Sequence, residues 1–184
     1  MFQSLIKKIA LKLNEKNIPY IIIGGQAVLL YGEPRLTRDI DITLGFGADK
    51  YKEIIDIVKQ LNFKVLVDDP SSFISQFMVL PVIDENSGTK IDFIFSFSVY
   101  EQKAIDRANK INIDGIEVNF SSLEDVLIHK VIAGRARDLE DIKNILLKNK
   151  KIDKEYVLKW LTDFDRSLDE SFVIRFENVA KEIN

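Results

Sequence analysis

Cysteine is absent from the 184-residue sequence, and histidine occurs only once. Disulfide bonds, thiolate nucleophiles, cysteine-ligated zinc sites and multi-histidine metal sites are therefore excluded. Any demanding chemistry must depend on carboxylates, lysine, arginine and hydroxyl groups. Carboxylate oxygens are hard ligands, so a metal site in this chain is expected to bind magnesium, with manganese as the alternative.

Long apolar runs and an excess of positive charge are also missing. No stretch approaches the roughly 20 uninterrupted apolar residues that a membrane-spanning helix needs. Lysines interrupt the N-terminal segment, which lacks the layout of a secretory signal, so we expect a cytoplasmic protein without a membrane partner. The formal net charge is −3 and the pI is near 5.3, so a nucleic-acid partner would have to bind a local basic patch.

The first 120 residues carry alternating helix and strand signals. Tyr20–Ile23 is a short apolar run of mostly β-branched residues that stops at two glycines, which predicts a buried strand. Asp39–Leu44 alternates strictly between polar and apolar residues, which predicts a strand with one buried face. Glycine-containing turns predict two hairpins, at Ser87-Gly88 and at Asp114-Gly115. Further strands are predicted over residues 64–67, 78–83, 90–95, 111–113 and 116–120, and helices over residues 2–16, 26–31 and 49–61.

After Phe120 the pattern becomes helical. Ser121 and Glu124 are spaced as a capping box for a helix that ends near Ala133, and Ser167 and Glu170 are spaced as a box for a helix to about residue 183. Two more helices are predicted, over residues 138–148 and 154–161. We therefore expect an α/β core with a mixed β-sheet flanked by helices over residues 1–120, and a helical C-terminal section over residues 121–184 that closes one side of a cleft.

Asp39 and Asp41 form the first candidate site. Side chains at positions i and i+2 of a strand point the same way, about 6.5–7 Å apart along the backbone, so both carboxylates can reach one metal ion or a pair of ions. Two ionised aspartates in this arrangement repel each other, which favours a bridging cation. The structural alternative is an edge strand whose polar face lies in water.

Two further features fit the same site. Gly24 and Gly25 end a strand immediately before a short helix, where glycine lets backbone N–H groups approach a phosphate; the alternative is an ordinary tight turn. Asp92 is the exception in an otherwise apolar strand, where a lone carboxylate must be paired with a cation or bound to a metal; the alternative is an arginine partner.

A fourth group follows in the helical section. Lys130, Arg135 and Arg137 could form a phosphate-binding wall. The alternatives are an unremarkable surface lysine at Lys130 and a helix N-cap at Asp138.

The order of these motifs resembles the nucleotidyltransferase superfamily of the DNA polymerase beta type. That pattern is an apolar residue, Gly with Gly or Ser, a spacer, and then two acids around an apolar residue. Here it is Ile23-Gly24-Gly25, thirteen further residues, and Asp39-Ile40-Asp41. Gly25 stands where many superfamily members carry Ser, so a hydroxyl contact to the nucleotide phosphate is absent.

A narrower resemblance depends on two stretches of charged residues. Arg35-Leu36-Thr37-Arg38 before the aspartate pair, and Lys130 with the segment 135–142, are similar to the AbiEii-type branch of the superfamily. Members of that branch include bacterial toxins that transfer nucleotides to transfer RNA.

The resemblance implies a magnesium-dependent nucleotidyltransferase. An acceptor hydroxyl, on RNA among other candidates, would attack the α-phosphorus of a nucleoside triphosphate and release pyrophosphate. Asp39, Asp41 and Asp92 would be the metal ligands, and Lys130 would neutralise phosphate charge. The implied nucleotide-binding residues are Gly24, Gly25, Arg38, Lys130, Arg135, Arg137 and Asp138, with Arg35 as a further candidate.

The resemblance also implies a possible partner protein, a cognate antitoxin. The alternative function is a non-catalytic nucleotide-binding module, or the partner subunit of a toxin–antitoxin pair, on the same fold.

Overall fold

The computed structural model describes residues 2–96 and 98–183. The chain divides into two compact units. The sheet unit comprises Met1–Gln26 and Thr37–Ser121, and the helical unit comprises Ala27–Leu36 and Ser122–Asn184. The predicted boundary at residue 120, with a C-terminal section closing a cleft, stays a prediction.

A mixed seven-stranded sheet forms the sheet unit, as predicted, in the order β3-β4-β5-β2-β1-β7-β6. The strands are β1 Tyr20–Ile23, β2 Asp39–Leu44, β3 Lys64–Val65, β4 Val79–Asp84, β5 Thr89–Phe95, β6 Asn109–Ile113 and β7 Ile116–Phe120. The pairs β2–β5 and β1–β7 are parallel, and the other neighbours are antiparallel. β3 is shorter than the predicted strand over residues 64–67.

Alternation along the central strands gives the sheet one fully buried face. Its side chains have no solvent exposure on β2, β4 and β5: Ile40, Ile42, Leu44, Leu80, Val82, Ile91, Phe93 and Phe95. Burial of each such side chain contributes about 1.5–3 kcal/mol relative to exposure. The intervening residues of β2 and β5, among them Asp39, Asp41 and Asp92, lie on the opposite face.

Both predicted hairpins are confirmed. β6 and β7 are joined by Asp114 and Gly115, which have φ angles of 48° and 86°. Two consecutive residues with positive φ are what a tight type I′ hairpin requires. β4 and β5 pair across a longer turn in which Gly88 has a φ of 68°.

Helices accompany the strands of the sheet unit. They are α1 Phe2–Glu15, α2 Gly24–Tyr31, α3 Tyr51–Gln60, α4 Pro70–Phe77 and α5 Val99–Asp106. α2 begins two residues earlier than predicted, so the two glycines are its first residues, and it runs on into the helical unit. α4 and α5 were not predicted. Their first turns are capped by Asp69, which accepts the backbone N–H of Ser72, and by a capping box of Ser98 and Glu101.

The helical unit contains four helices after residue 121, among the residues that the structure describes. They are α6 Leu123–Ala133, α7 Ala136–Lys148, α8 Lys154–Leu168 and α9 Phe172–Lys181. None of the helices in residues 2–96 and 98–183 is long and apolar enough to cross a membrane.

Two predicted capping boxes are wrong. α6 is capped by Ser122, whose hydroxyl accepts the backbone N–H of Asp125, so the cap lies one residue after the predicted Ser121 and Glu124. The second box fails because α8 continues past residue 161, and Ser167 lies within it and donates to the carbonyl of Phe164. α9 therefore begins only at Phe172.

Candidate active site

Three aspartates share the open face of the sheet where β2 and β5 run side by side. Asp41 is the register partner of Asp92, and Asp39, two residues earlier on β2, is the partner of Lys90. Paired residues on adjacent strands point to the same face, and the strands lie about 4.8 Å apart. The backbone therefore brings together the three carboxylates that the sequence predicts as metal ligands.

Burial and the charge of Asp39 make ionisation of Asp92 unfavourable. Asp39 is exposed, whereas Asp41 and Asp92 are half-buried. Burial raises the pKa of the Asp92 carboxyl above its ordinary value, the negative charge of Asp39 raises it further, and the positive charge of Lys90 opposes both. A divalent cation would relieve this repulsion.

The donor set fits magnesium or manganese in its chemistry, because every candidate ligand is a carboxylate oxygen. Within residues 2–96 and 98–183, however, no three acidic or histidine side chains already form a cluster that could hold a metal ion. The strand register brings the backbones of the three candidate ligands close together. Their carboxylates would have to move closer to one another to bind a cation.

Gly24 provides the room that Asp41 occupies. It has a φ of 62°, and a Cβ atom placed on it would lie 2.0 Å from Oδ2 of Asp41. Any other residue would clash with this carboxylate and would also strain the left-handed backbone. Glycine is thus required at the first position of α2 because the carboxylate of a candidate metal ligand occupies the space of a side chain there. The glycine motif and the aspartate motif therefore belong to the same site.

Replacing Gly24 with alanine is expected to displace the Asp41 carboxylate. The matched control is Gly88→Ala, because Gly88 has a φ of 68° and a Cβ there would meet nothing within 4 Å. Both variants should lose about 1–2 kcal/mol of stability from the backbone strain. Only Gly24→Ala should also lose the rise in melting temperature that manganese gives the parent. Equal metal-induced shifts in the two variants would refute the link between Gly24 and Asp41.

The sequence patterns did not predict a role for Gln26 or Lys90. Gln26 is buried near the start of α2, and its amide nitrogen has no hydrogen-bond partner among the described residues. Its polar side chain in the otherwise apolar sequence of α2 could have indicated a candidate ligand-binding residue. Lys90 is exposed at the start of β5.

The predicted cations Lys130, Arg135 and Arg137 lie in the helical unit. Lys130 is buried, and its Nζ atom lies 2.6 Å from Oδ1 of Asp138 and 3.0 Å from Oδ2 of Asp141. Nε of Arg135 lies 2.6 Å from Oδ2 of Asp138. Arg137 is exposed and donates from Nη2 to the carbonyl of Leu36.

A second arginine completes this ion network. Arg35 donates from Nε and Nη2 to the two carboxylate oxygens of Asp141, at 2.9 Å each. Burial alone would raise the pKa of Asp138, but hydrogen bonds from Arg135 and Lys130 hold it below its ordinary value. Asp138 is therefore an ionised partner of two cations, and Lys130 is neutralised by two carboxylates. The role of Lys130 in phosphate binding stays a prediction.

Of the predicted nucleotide-binding residues, the structure places Gly24, Gly25 and Arg38 in the sheet unit with the three aspartates. Arg38 is exposed just before β2. Lys130, Arg135, Arg137 and Asp138 belong to the helical unit.

The raised pKa of Asp92 predicts how stability changes with pH when no metal is bound. A carboxyl with a raised pKa in the folded state binds its proton more tightly than in the unfolded chain, so its contribution is greatest below the ordinary pKa of 3.8 and is lost as pH rises through the folded value. Asp92→Asn should therefore gain stability over the parent as pH rises from about 4 to 7.

Urea melts in the presence of a chelator measure this difference. The control is Asp56→Asn, which removes a carboxylate from an exposed position of α3 in the same unit. A constant difference between parent and Asp92→Asn across the range would show that the environment of Asp92 does not oppose its ionisation.

Comparison with known proteins places this geometry in a family. The model of the family described as "Nucleotidyltransferase of unknown function (DUF6036)" matches residues 1–183. No curated protein matches the chain.

Solved structures share the fold at low sequence identity. ANT(2")-Ia in complex with adenylyl-2"-tobramycin is 17% identical, with a TM-score of 0.55 over 99% of this chain and 98% of that one. The lincomycin-bound lincosamide antibiotic adenylyltransferase LnuA is 21% identical, with a TM-score of 0.50 over 72% and 89%. A putative nucleotidyltransferase from Thermotoga maritima is 17% identical, with a TM-score of 0.53 over 80% and 94%.

These likenesses confirm the predicted nucleotidyltransferase fold, and the family match covers nearly the whole chain. Together they confirm the superfamily that the glycine and aspartate motifs predicted. The chain belongs to the DUF6036 family of nucleotidyltransferases.

Proposed function

We propose that this protein is a magnesium-dependent nucleotidyltransferase that moves a nucleoside monophosphate from a triphosphate to an acceptor hydroxyl. The observation that carries the proposal is the pairing of Asp41 with Asp92 on one sheet face, with Gly24 shaped around the Asp41 carboxylate. In a non-catalytic protein, three carboxylates on one face of the sheet would cost electrostatic free energy without serving a function.

Asp39 and Asp41 would hold two magnesium ions, and Asp92 would hold one of them. When bound, the ions supply charge neutralisation at the triphosphate and lower the pKa of the acceptor hydroxyl. The backbone N–H groups at the start of α2, where Gly24 and Gly25 lie, are suited to hold a phosphate because the first turn of a helix leaves them unpaired.

The reaction exchanges one phosphorus–oxygen bond for another. The acceptor oxygen forms a bond to the α-phosphorus, the bond from that phosphorus to the bridging oxygen breaks, and pyrophosphate leaves. The hydroxyl proton passes to a base, and Asp92 is the candidate because it would hold the ion that lowers the pKa of that hydroxyl. Arg38, with Lys130, Arg135 and Arg137 of the helical unit, would bind phosphate groups.

For the biological role, we retain the AbiEii-like branch as the proposal. Membership of that branch would imply a cytoplasmic protein with RNA as an acceptor and a cognate antitoxin as a partner. The second candidate is a small-molecule hydroxyl, since the structures of two proteins of the same fold contain adenylyl-2"-tobramycin and lincomycin, respectively. The third is a non-catalytic module that binds a nucleotide without turnover.

A survey of acceptors separates these possibilities. The protein is incubated with magnesium, each triphosphate labelled at the α-phosphate, and separate pools of RNA, protein and small metabolites. We expect one pool to acquire label only when magnesium is present. Nucleotide binding without label in any pool would support the non-catalytic module and refute transfer.

A further inference from the structure

The open face of the sheet has two different sides next to the carboxylates. Asp92 lies between Asp41 of β2 and Pro81 of β4. On the β2 side the next strand is β1, which leads directly into Gly24 and α2. On the other side lie β4 and then β3, and neither strand contains glycine. The proposed phosphate site and β4 therefore flank the carboxylates on opposite sides.

Lys90 lies on β5, on the same face of the sheet as Asp92. It is two residues before Asp92 on β5, and its register partners are Asp39 on one side and Ile83 of β4 on the other. The side chain is exposed, and within residues 2–96 and 98–183 it makes no hydrogen bond or ion pair. Lys64 of β3 differs, because its ammonium nitrogen lies 3.1 Å from a carboxylate oxygen of Glu85.

The acidic residues at the end of β4 are already engaged. Asp84 accepts hydrogen bonds in its own turn, including one of 2.6 Å from the Ser87 hydroxyl, and Glu85 pairs with Lys64. Lys90 is thus an exposed cation that acts on Asp92 through its charge and makes no hydrogen bond or ion pair among the described residues, whereas the acids at the end of β4 and in its turn are engaged by other side chains. A polycationic acceptor would need the reverse arrangement.

We propose that Lys90 selects the acceptor by charge, binding a phosphate group that lies close to the hydroxyl receiving the nucleotide. The inference rests on the proposed function, because it takes Asp92 as the residue nearest that hydroxyl. The acceptor is therefore a phosphate-bearing molecule, either the end of an RNA chain or a small sugar phosphate. An amine-rich compound such as tobramycin does not fit.

Binding and turnover of defined acceptors test this proposal in the full chain. The variants are Lys90→Gln and Lys90→Glu, with Lys110→Gln as the matched control. Lys110 is also an exposed strand lysine, and it pairs with Glu117 on the edge hairpin. The probes are a labelled RNA oligonucleotide with a free 3′-hydroxyl, ribose 5-phosphate and tobramycin. Binding is measured with manganese but no triphosphate, and KM is measured with ATP.

Lys90→Gln should weaken binding of the phosphate-bearing probe about tenfold, the size expected for one lost hydrogen bond to a charged group. If that probe is RNA, the slope of log affinity against log salt should fall by about one. Lys90→Glu should weaken it further and gain affinity for tobramycin. The KM for ATP should not change and manganese affinity should not fall, because both variants remove a positive charge beside the aspartates. Weaker acceptor binding would then not result from loss of the metal site. The two phosphate probes show which source the acceptor has.

Unchanged affinity for both phosphate probes in Lys90→Gln, or a loss no larger than in Lys110→Gln, would overturn the assignment. Failure of the parent to bind either probe would do the same. Label transfer with normal KM in Lys90→Gln would refute the role of Lys90 and leave the proposed function standing. Lys90-dependent binding without any transfer would refute the proposed function and leave the anion site standing.

Discussion

Replacing Asp41 with asparagine should abolish nucleotidyl transfer and yet leave the metal-free protein at least as stable as the parent. Asparagine is nearly isosteric but neutral, so it removes a ligand charge and also relieves the repulsion among Asp39, Asp41 and Asp92. When no metal is present, no divalent cation offsets that repulsion in the parent. Magnesium should then raise the melting temperature of the parent and raise that of the variant much less.

Thermal melts with and without magnesium, run beside a transfer assay, measure both effects. Asp56→Asn is the control, since it removes one carboxylate from an exposed helix position of the same unit. It should keep transfer and the magnesium-induced shift. A loss of several kcal/mol in metal-free Asp41→Asn would instead mark Asp41 as a structural hydrogen-bonding residue.

The second large effect is expected at Lys130. Lys130→Ala should destabilise the protein by about 1–3 kcal/mol, because the buried carboxylates of Asp138 and Asp141 lose their shared cation but each keeps an arginine partner. The control is Lys64→Ala, which breaks a pair with both side chains well exposed and should cost about 0–1 kcal/mol.

Urea titrations of both variants give the comparison. A Lys130→Ala protein of nearly parental stability that has lost triphosphate affinity would favour the phosphate-binding role predicted from the sequence. A large loss of stability accompanied by normal triphosphate affinity in the folded fraction would assign Lys130 to the ion network alone.

Strands with strong patterns were predictable from the sequence. β2 alternates without exception, and β1 is a continuous apolar run before two glycines, so local chemistry determined both. α4 and α5 were overlooked because short helices with few buried residues give little periodicity. Both helices are stabilised by N-caps, at Asp69 and at Ser98, and the sequence contains the residue types that predict these caps.

The sequence could predict which aspartates form the site, but not how the strands that carry them are paired. Spacing alone shows that Asp39 and Asp41 share a face, whereas the pairing of Asp41 with Asp92 depends on which strands become neighbours. β3 and β4 intervene between β2 and β5 in the chain, and only the fold decides that β5 pairs with β2. The clash that a Cβ on Gly24 would make with Asp41 is likewise a property of the folded chain.

The ion pairs of the charged segment in the helical unit could not be predicted from the sequence for a related reason. The sequence shows Lys130 and, after a glycine, Asp138 and Asp141, but not that both carboxylates turn back onto the lysine. Gly134 has a φ of 60° and ends α6, which lets α7 return so that its first turns face Lys130. Cations that look available in the sequence can therefore be committed to acids a few residues away.

ATP labelled separately at the α- and γ-phosphates tests the central claim most directly. With magnesium and the acceptor pool identified by the survey, we predict that the α-label appears on the acceptor and the γ-label in pyrophosphate, and that Asp41→Asn abolishes both. An acceptor that carries the γ-label, or undiminished transfer by Asp41→Asn, would contradict a nucleotidyltransferase centre built on Asp39, Asp41 and Asp92.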